Sequence, residues 1–235
     1  MLGVVTAAGL GGGALMAIDA TRDMQVAQAV QTQEAQVPPQ RLIIGLDISQ
    51  SNPLVDNPAF AAKVAARIAA QIRVMGFASE VHVRTFGSYD AASNSFYYDT
   101  RLSRNARPAM VAAEVQKLIS GTPDLVKRGA WKSQKTTNIL AFLDNVSQSI
   151  GCASIPTTII LASDGIEDSE YARLTNKNAH LPPPKGAPFK GCGPLQILGL
   201  GQGAGSPSTT VRLRGEWASW AGAAGFKNFQ GLNDW

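Results

Sequence analysis

The feature that most constrains the fold is a run of apolar or small residues at 42–46 that leads directly into oxygen-bearing side chains at Asp47, Ser49 and Ser51. An uninterrupted apolar run bounded by polar residues is typical of a strand buried on both faces of a parallel sheet. In open parallel sheets, ligands bind just beyond the carboxyl ends of the strands. Hard oxygen donors at such an edge suit Mg²⁺ or a similar ion, although three donors are too few for octahedral coordination.

The rest of the folded region alternates between strand-like and helix-like patterns. Apolar runs and two-residue periodicity predict strands over 42–48, 80–86, 96–102, 157–162, 195–200 and 226–229. Four-residue apolar spacing and helix-boundary residues predict helices over 58–75, 108–119, 138–150 and 209–224. Residues 122–135 are expected to form a polar loop, and 96–102 an antiparallel edge strand. This order predicts a three-layer α/β/α sandwich with a mostly parallel sheet and one antiparallel edge strand.

The amino-terminal 40 residues differ from the remainder. Residues 1–18 contain no charged side chain, and their length is at the lower limit for a membrane-spanning helix. They lack the basic residues that open a secretory signal. We expect a membrane anchor or signal-like segment; a start site inside a longer anchor and a buried or disordered leader are open alternatives. Residues 19–40, rich in Ala and Gln, are expected to form a linker or helical tether before a domain at 41–235.

Composition and charge favour a globular domain that binds no nucleic acid. Of the 235 residues, 45% are hydrophobic and 16% are charged, which allows one domain with a substantial core. The net charge is +4, and the chain has no run of five or more Lys or Arg residues. Scattered basic residues indicate a solvated surface rather than a nucleic-acid-binding one.

Further polar residues follow the same pattern later in the chain. The buried-type strand 157–162 leads to Asp164-Gly165, and Thr137 stands at the start of the helix that precedes this strand. Together with Asp-x-Ser-x-Ser after the first strand, this order resembles the von Willebrand factor type A (vWA) domain. The resemblance covers about residues 41–232 and includes the order of strands and helices.

In the vWA family these positions form the metal-ion-dependent adhesion site. The resemblance implies that a divalent ion, Mg²⁺ or else Mn²⁺ or Ca²⁺, is held by Asp47, Ser49, Ser51, Thr137 and Asp164. The family usually has a small residue before the threonine, and the Thr at position 136 leaves a shift of this ligand by one residue open. Only two ligands are charged and the hydroxyl groups are weak ligands, so the ion can bind an outside carboxylate in an open position. The implied function is non-enzymatic recognition of an Asp or Glu on a partner protein, in adhesion or envelope-complex assembly.

Three other interpretations are open. Ser49, Ser51 and Thr137 are also typical helix-capping residues, and Asp164 is a typical turn residue. Asp47 could be the nucleophile of a phosphohydrolase resembling the haloacid dehalogenases, although their second acid is replaced here by Ser49. A purely structural subunit of a surface or secretion assembly would need no metal. The glycine series at 199–205 has the wrong spacing for a dinucleotide loop and is expected at the same sheet edge.

The two cysteines predict a disulfide and thereby a location. Cys152 precedes the strand at 157 and Cys192 precedes the strand at 195. If these strands are parallel neighbours, both sulfurs lie at the amino edge of the sheet. A disulfide favours an oxidising compartment, so we expect a periplasmic or extracellular protein that is membrane-anchored.

The insertion at 168–192 contains three consecutive prolines followed by Lys185 and Lys190. This composition predicts an ordered segment without regular secondary structure. The insertion leaves the sheet at the edge where the metal is expected. We therefore expect it to contribute to partner specificity through its positive charges, with an inert surface loop as the alternative.

Overall fold

A six-stranded sheet with the strand order β3-β2-β1-β4-β5-β6 lies at the centre of the structure. Every neighbouring pair of strands is parallel except β2 and β3, which are antiparallel. The predicted mostly parallel sheet with one antiparallel edge strand is confirmed. The strands are β1 (Arg41–Asp47), β2 (Glu80–Phe86), β3 (Tyr97–Arg101), β4 (Thr157–Ala162), β5 (Pro194–Leu198) and β6 (Asn228–Leu232).

The structure is a computed structural model in which residues 37–88, 96–152 and 154–235 are described. Residues 38–235 form one compact unit. The predicted membrane segment at 1–18 and nearly all of the predicted tether at 19–40 lie outside the described residues. Within the described part, no helix has the length and apolar character needed to cross a membrane.

Five helices connect the described strands: α1 (Pro58–Arg73), α2 (Pro108–Ser120), α3 (Thr122–Lys127), α4 (Ile139–Ser149) and α5 (Pro207–Ala223). Side chains cap three of them, since Asn57, Asn138 and Ser206 accept hydrogen bonds from backbone N–H groups of the first turn. The predicted polar loop at 122–135 is wrong over its first six residues. Its first turn contains a proline and Asp124, which suit a helix start, so a short helix forms there.

Apolar side chains form a core on each face of the sheet. On one face, Ile44 and Leu46 of β1 pack with the buried sides of α1 and α2. On the other face, Ile43 packs in a cluster with α4 and α5, which includes the fully buried Trp217. Because both faces of β1 are covered, its apolar run is continuous rather than alternating. The described chain is therefore layered as helices, sheet and helices.

Cys152 and Cys192 form a disulfide with their Cα atoms 5.0 Å apart. They precede β4 and β5, which pair in parallel, so the predicted bridge at the amino edge of the sheet is confirmed. The insertion at 168–192 contains no helix or strand, only isolated bridges, as predicted. It begins after β4 at the carboxyl edge and ends at the disulfide, where its buried Phe189 stacks on Phe226. Lys190 consequently lies at the edge opposite to the expected metal.

Candidate metal centre at the carboxyl edge of the sheet

The pairing of β1 with β4 brings the first two predicted site elements together. Leu46 pairs with Ala162, so Asp47 and Ser163 follow at the same level. The Ser163 hydroxyl donates to Asp47 Oδ2 over 2.7 Å, and the Ser49 backbone N–H donates to Asp47 Oδ1 over 2.9 Å. Asp47 is fully buried. Its carboxylate is thus held in one orientation by groups from both strand ends.

The two serines connect Asp47 to Asp164. The Ser49 and Ser51 Oγ atoms are 3.4 Å apart, and Ser51 lies near enough to Asp164 to lower the pKa of its carboxyl group. Ser49 and Asp164 are buried, whereas Ser51 is exposed. Four of the five predicted ligands therefore form one continuous cluster, and Ser51 lies on its solvent side.

Thr137 reaches the same edge by another route. It lies two residues before α4 and is 2% exposed. Its backbone N–H donates to the Asp168 carbonyl over 3.2 Å, and its carbonyl accepts from the Asp168 N–H over 2.9 Å. This pair ties the loop before α4 to the loop after β4. Within the described residues, Thr137 is linked to the other predicted ligands through the backbone, and no hydrogen bond of its hydroxyl joins it to them.

The two carboxyl groups have unusual electrostatics. Burial raises the pKa of Asp47 to about 6, against the opposing effect of its hydrogen bonds from Ser49 and Ser163. Burial and the charge of Asp47 raise the pKa of Asp164 to about 7, opposed by hydrogen bonds from the Ile166 N–H and Ser51. Neither carboxylate forms an ion pair with a basic side chain in the described part of the chain. A divalent cation between them would offset this repulsion.

The donor set fits a hard divalent ion. An ionised carboxylate has about four lone-pair sites, so the two hydrogen bonds to Asp47 leave acceptor positions free. Carboxylate and hydroxyl oxygens are ligands of the kind that Mg²⁺ and Mn²⁺ take. Within the described residues, no group of three or more His, Cys, Asp and Glu side chains is placed to hold a metal ion. The candidate centre accordingly depends on hydroxyl groups for most of its ligands.

Two residues that support Asp47 were not identified from the sequence. The Asn52 amide Nδ2 donates to the carbonyl oxygens of Asp47, over 2.7 Å, and of Ala162, over 3.0 Å. It thereby joins the ends of β1 and β4 from a fully buried position. Ser163 orients the Asp47 carboxylate, as described above. Both residues adjoin the motifs in sequence, but their roles depend on the register between two strands that are distant in sequence.

Glu167 is the third buried acid at this edge, and no sequence signal marked it. Its Oε2 atom accepts from the backbone N–H groups of Ile139 and Leu140 over 2.8 and 3.2 Å, and Oε1 accepts from the Ser169 hydroxyl. Burial raises its pKa to about 7, and the charge of Asp47 contributes to this rise. Because its oxygens are already occupied, Glu167 positions the start of α4, and with it the loop that carries Thr137.

Gly165 explains how the Asp164 loop turns. Its φ of 74° lies in the left-handed region that glycine adopts without steric cost. This turn lets the Ile166 N–H donate back to Asp164 Oδ1 over 2.8 Å. The glycine series at 199–205 follows β5 and lies at this same edge, as expected from the sequence.

The sequence matches no protein-family model and no curated protein. Among solved structures, the chain is similar to a crystal structure of the pilus adhesin SpaC from Lactobacillus rhamnosus GG, with a TM-score of 0.49 and 16% sequence identity. The match covers 85% of this chain and 29% of that one. At this level of similarity we draw no conclusion from it about function, metal binding or location.

Proposed function

We propose that this domain binds a partner protein through a divalent ion held at the carboxyl edge of its sheet. The observation that carries the proposal is the pair of buried carboxylates, Asp47 and Asp164, at the ends of two neighbouring strands. They share one cluster with Ser49 and Ser51, and neither forms an ion pair with a basic side chain in the described part of the chain. Two such groups are costly to keep together without a cation.

In this proposal Mg²⁺, or else Mn²⁺ or Ca²⁺, is held by Asp47, Ser49, Ser51, Thr137 and Asp164. The bound ion would supply a positive centre that attracts an outside carboxylate, from an Asp or Glu of the partner. The chain itself contributes the orientation of its ligands, through the residues that hold Asp47 and the start of α4. The exposure of Ser51 supports an approach of the partner from its side of the cluster.

We further propose that the protein acts outside the cytoplasm, in adhesion or in the assembly of an envelope or surface complex. The Cys152–Cys192 disulfide supports this location, because disulfides persist in oxidising compartments. The membrane anchor expected at residues 1–18 remains a prediction from the sequence.

The phosphohydrolase alternative receives less support. A phosphohydrolase of the haloacid dehalogenase type needs a general acid two residues after the nucleophile, and Ser49 stands at that position. The structural-subunit alternative predicts neither metal binding nor turnover. Metal binding and phosphoester turnover, measured together, therefore separate the three functions.

Calorimetric titration with Mg²⁺ and Mn²⁺ tests the proposal. We expect saturable binding that is weakened about 10-fold or more by Asp47→Asn, since this change keeps the side-chain shape but removes a charged ligand. Asp56→Asn is the matched control, because Asp56 is an exposed acid on the same loop. Absence of binding by the wild-type protein would refute the metal-dependent function, and turnover of a generic phosphoester would favour the hydrolase.

A further inference from the structure

The segment 127–135 is the most basic part of the chain, and we call it the basic loop. It contains Lys127, Arg128, Lys132 and Lys135 and no acidic residue. Without these four, the chain's 21 basic residues fall to 17, which equals its 17 acidic residues. The formal net charge of +4 therefore equals the charge of this one segment of nine residues, and the rest of the chain is formally neutral.

The basic loop is attached to the candidate metal centre. Gln134 donates its backbone N–H to the Ile48 carbonyl over 2.9 Å, and its own carbonyl accepts from the Gln50 N–H over 2.7 Å. Ile48 and Gln50 alternate with the ligand positions Asp47, Ser49 and Ser51. The loop is also held at Trp131, whose ring packs on Phe96 with the centroids 5.1 Å apart. Lys132 and Lys135 flank Gln134 and so lie beside the Asp-x-Ser-x-Ser segment.

The charges of the basic loop are available to a partner. All four basic side chains are exposed, and none forms an ion pair with an acidic side chain in the described part of the chain. The Arg128 side chain donates to the backbone carbonyl of Asp124 over 3.2 Å. By contrast, Arg41 and Arg84 on the sheet are paired with Glu80 and Asp99.

We propose that the basic loop is a second contact surface beside the metal centre, and that it selects partner segments in which the recognised acid is flanked by further acidic residues. That one acid of the partner binds at the metal centre rests on the proposed function. The preference for further acidic residues beside that acid rests on the basic loop alone. Opposite charges facing each other across an interface raise the association rate and discriminate between partners. This effect acts over about 8 Å at physiological ionic strength.

The test uses two synthetic peptides that each contain one central Asp. In one peptide this Asp is flanked by Glu residues, and in the other it is flanked by Gln residues. Binding to the full chain is measured by surface plasmon resonance with Mg²⁺ or with EDTA, at low and high salt. We expect the Glu-flanked peptide to bind about 10-fold more tightly at low salt. The preference should disappear in Lys132→Glu/Lys135→Glu. It should persist in the matched control Lys190→Glu/Lys227→Glu, whose exposed lysines lie at the amino edge of the sheet.

The outcomes separate this inference from the proposed function. A preference for Glu flanks that survives EDTA would uphold the basic loop. Affinities of both peptides that EDTA leaves unchanged would count against the metal but not against the loop. Equal binding of both peptides, no binding of either, or equal loss in the control variant would overturn the inference. The last measurement is binding of the protein to vesicles containing phosphatidylglycerol. Binding to these vesicles that requires Lys132 and Lys135, with no peptide preference, would likewise overturn it and assign the loop to a membrane surface.

Discussion

At the scale of single residues, the carboxyl edge of the sheet is defined by three buried acids with different tasks. Asp47 and Asp164 lie in the cluster with Ser49 and Ser51. The oxygens of Glu167 accept hydrogen bonds from the start of α4 and from Ser169. A buried carboxyl group is tolerated when hydrogen bonds satisfy it. Glu167 therefore has a positional role, whereas a role in binding the ion is proposed for Asp47 and Asp164.

Replacement of Glu167 tests this assignment. Glu167→Ala leaves the Ile139 and Leu140 N–H groups without their acceptor, so we expect unfolding to require about 2 to 3 kcal/mol less. Glu167→Gln retains an acceptor oxygen and should cost less than about 1 kcal/mol. Urea unfolding gives the free energies, and hydrogen exchange at the first turn of α4 locates the effect. Asp56→Asn, at an exposed acid on another loop, is the control. Equal stability of Glu167→Ala and wild type would contradict the assigned role.

At the scale of secondary-structure elements, charged pairs help to join the starts of adjacent strands. Arg41 and Glu80 are the first partners of the β1–β2 ladder, and Arg41 Nε lies 2.7 Å from Glu80 Oε2. The hydrogen bond from Arg41 lowers the pKa of Glu80, against a small opposing effect of burial and with a further contribution from His82. The ionised form of Glu80 is thus stabilised by folding.

This shift predicts how acid affects the β1–β2 pair. A carboxyl group with a lowered pKa in the folded state stabilises the protein above its unfolded pKa, near 4.5, and this contribution is lost as the pH falls through the folded value. We expect Glu80→Gln to lower the unfolding free energy by about 0.5 kcal/mol at pH 7. The difference from wild type should vanish in strong acid. Urea unfolding across this pH range, with Arg41→Gln and the double variant, gives the coupling energy; a difference independent of pH would contradict the pairing.

At the scale of the whole molecule, the disulfide joins segments that the chain separates by 40 residues. The enclosed segment includes β4, Asp164, Glu167 and the irregular insertion. A cross-link of this span restricts the unfolded chain strongly, because it removes the entropy of a long loop. The insertion has no helix or strand of its own, so its placement depends on this bridge and on Phe189 in the core.

Removal of the bridge should therefore affect the whole domain. For Cys152→Ala/Cys192→Ala we expect the unfolding free energy to fall by about 2 to 4 kcal/mol. The wild-type protein treated with a reductant should behave like the double variant, which provides the control. Denaturant unfolding and mass spectrometry of thiol content are the measurements. Two free thiols in the native protein, or identical stability with and without reductant, would contradict this prediction.

Much of the fold was predictable because it depends on local patterns. The continuous apolar run at 42–46 and the alternation of strands and helices indicated the sandwich, and the cysteine positions indicated the disulfide. These features follow from side-chain periodicity within single elements and from the usual parallel connection. The positions of Asp47 and Asp164 at strand ends followed from the same patterns. The short helix α3 was missed because its turn of six residues is too brief to show apolar periodicity.

The sequence by itself determined which residue types arrive at the carboxyl edge of the sheet, since local apolar patterns end there at Asp47 and Asp164. Only the tertiary structure decided which groups hold them. The contacts of Ser163 with Asp47, of Gln134 with Ile48, and of Glu167 with α4 join segments separated by 27 or more residues. Such contacts depend on strand register and helix placement, and these are set by packing across the whole domain rather than by neighbouring residues.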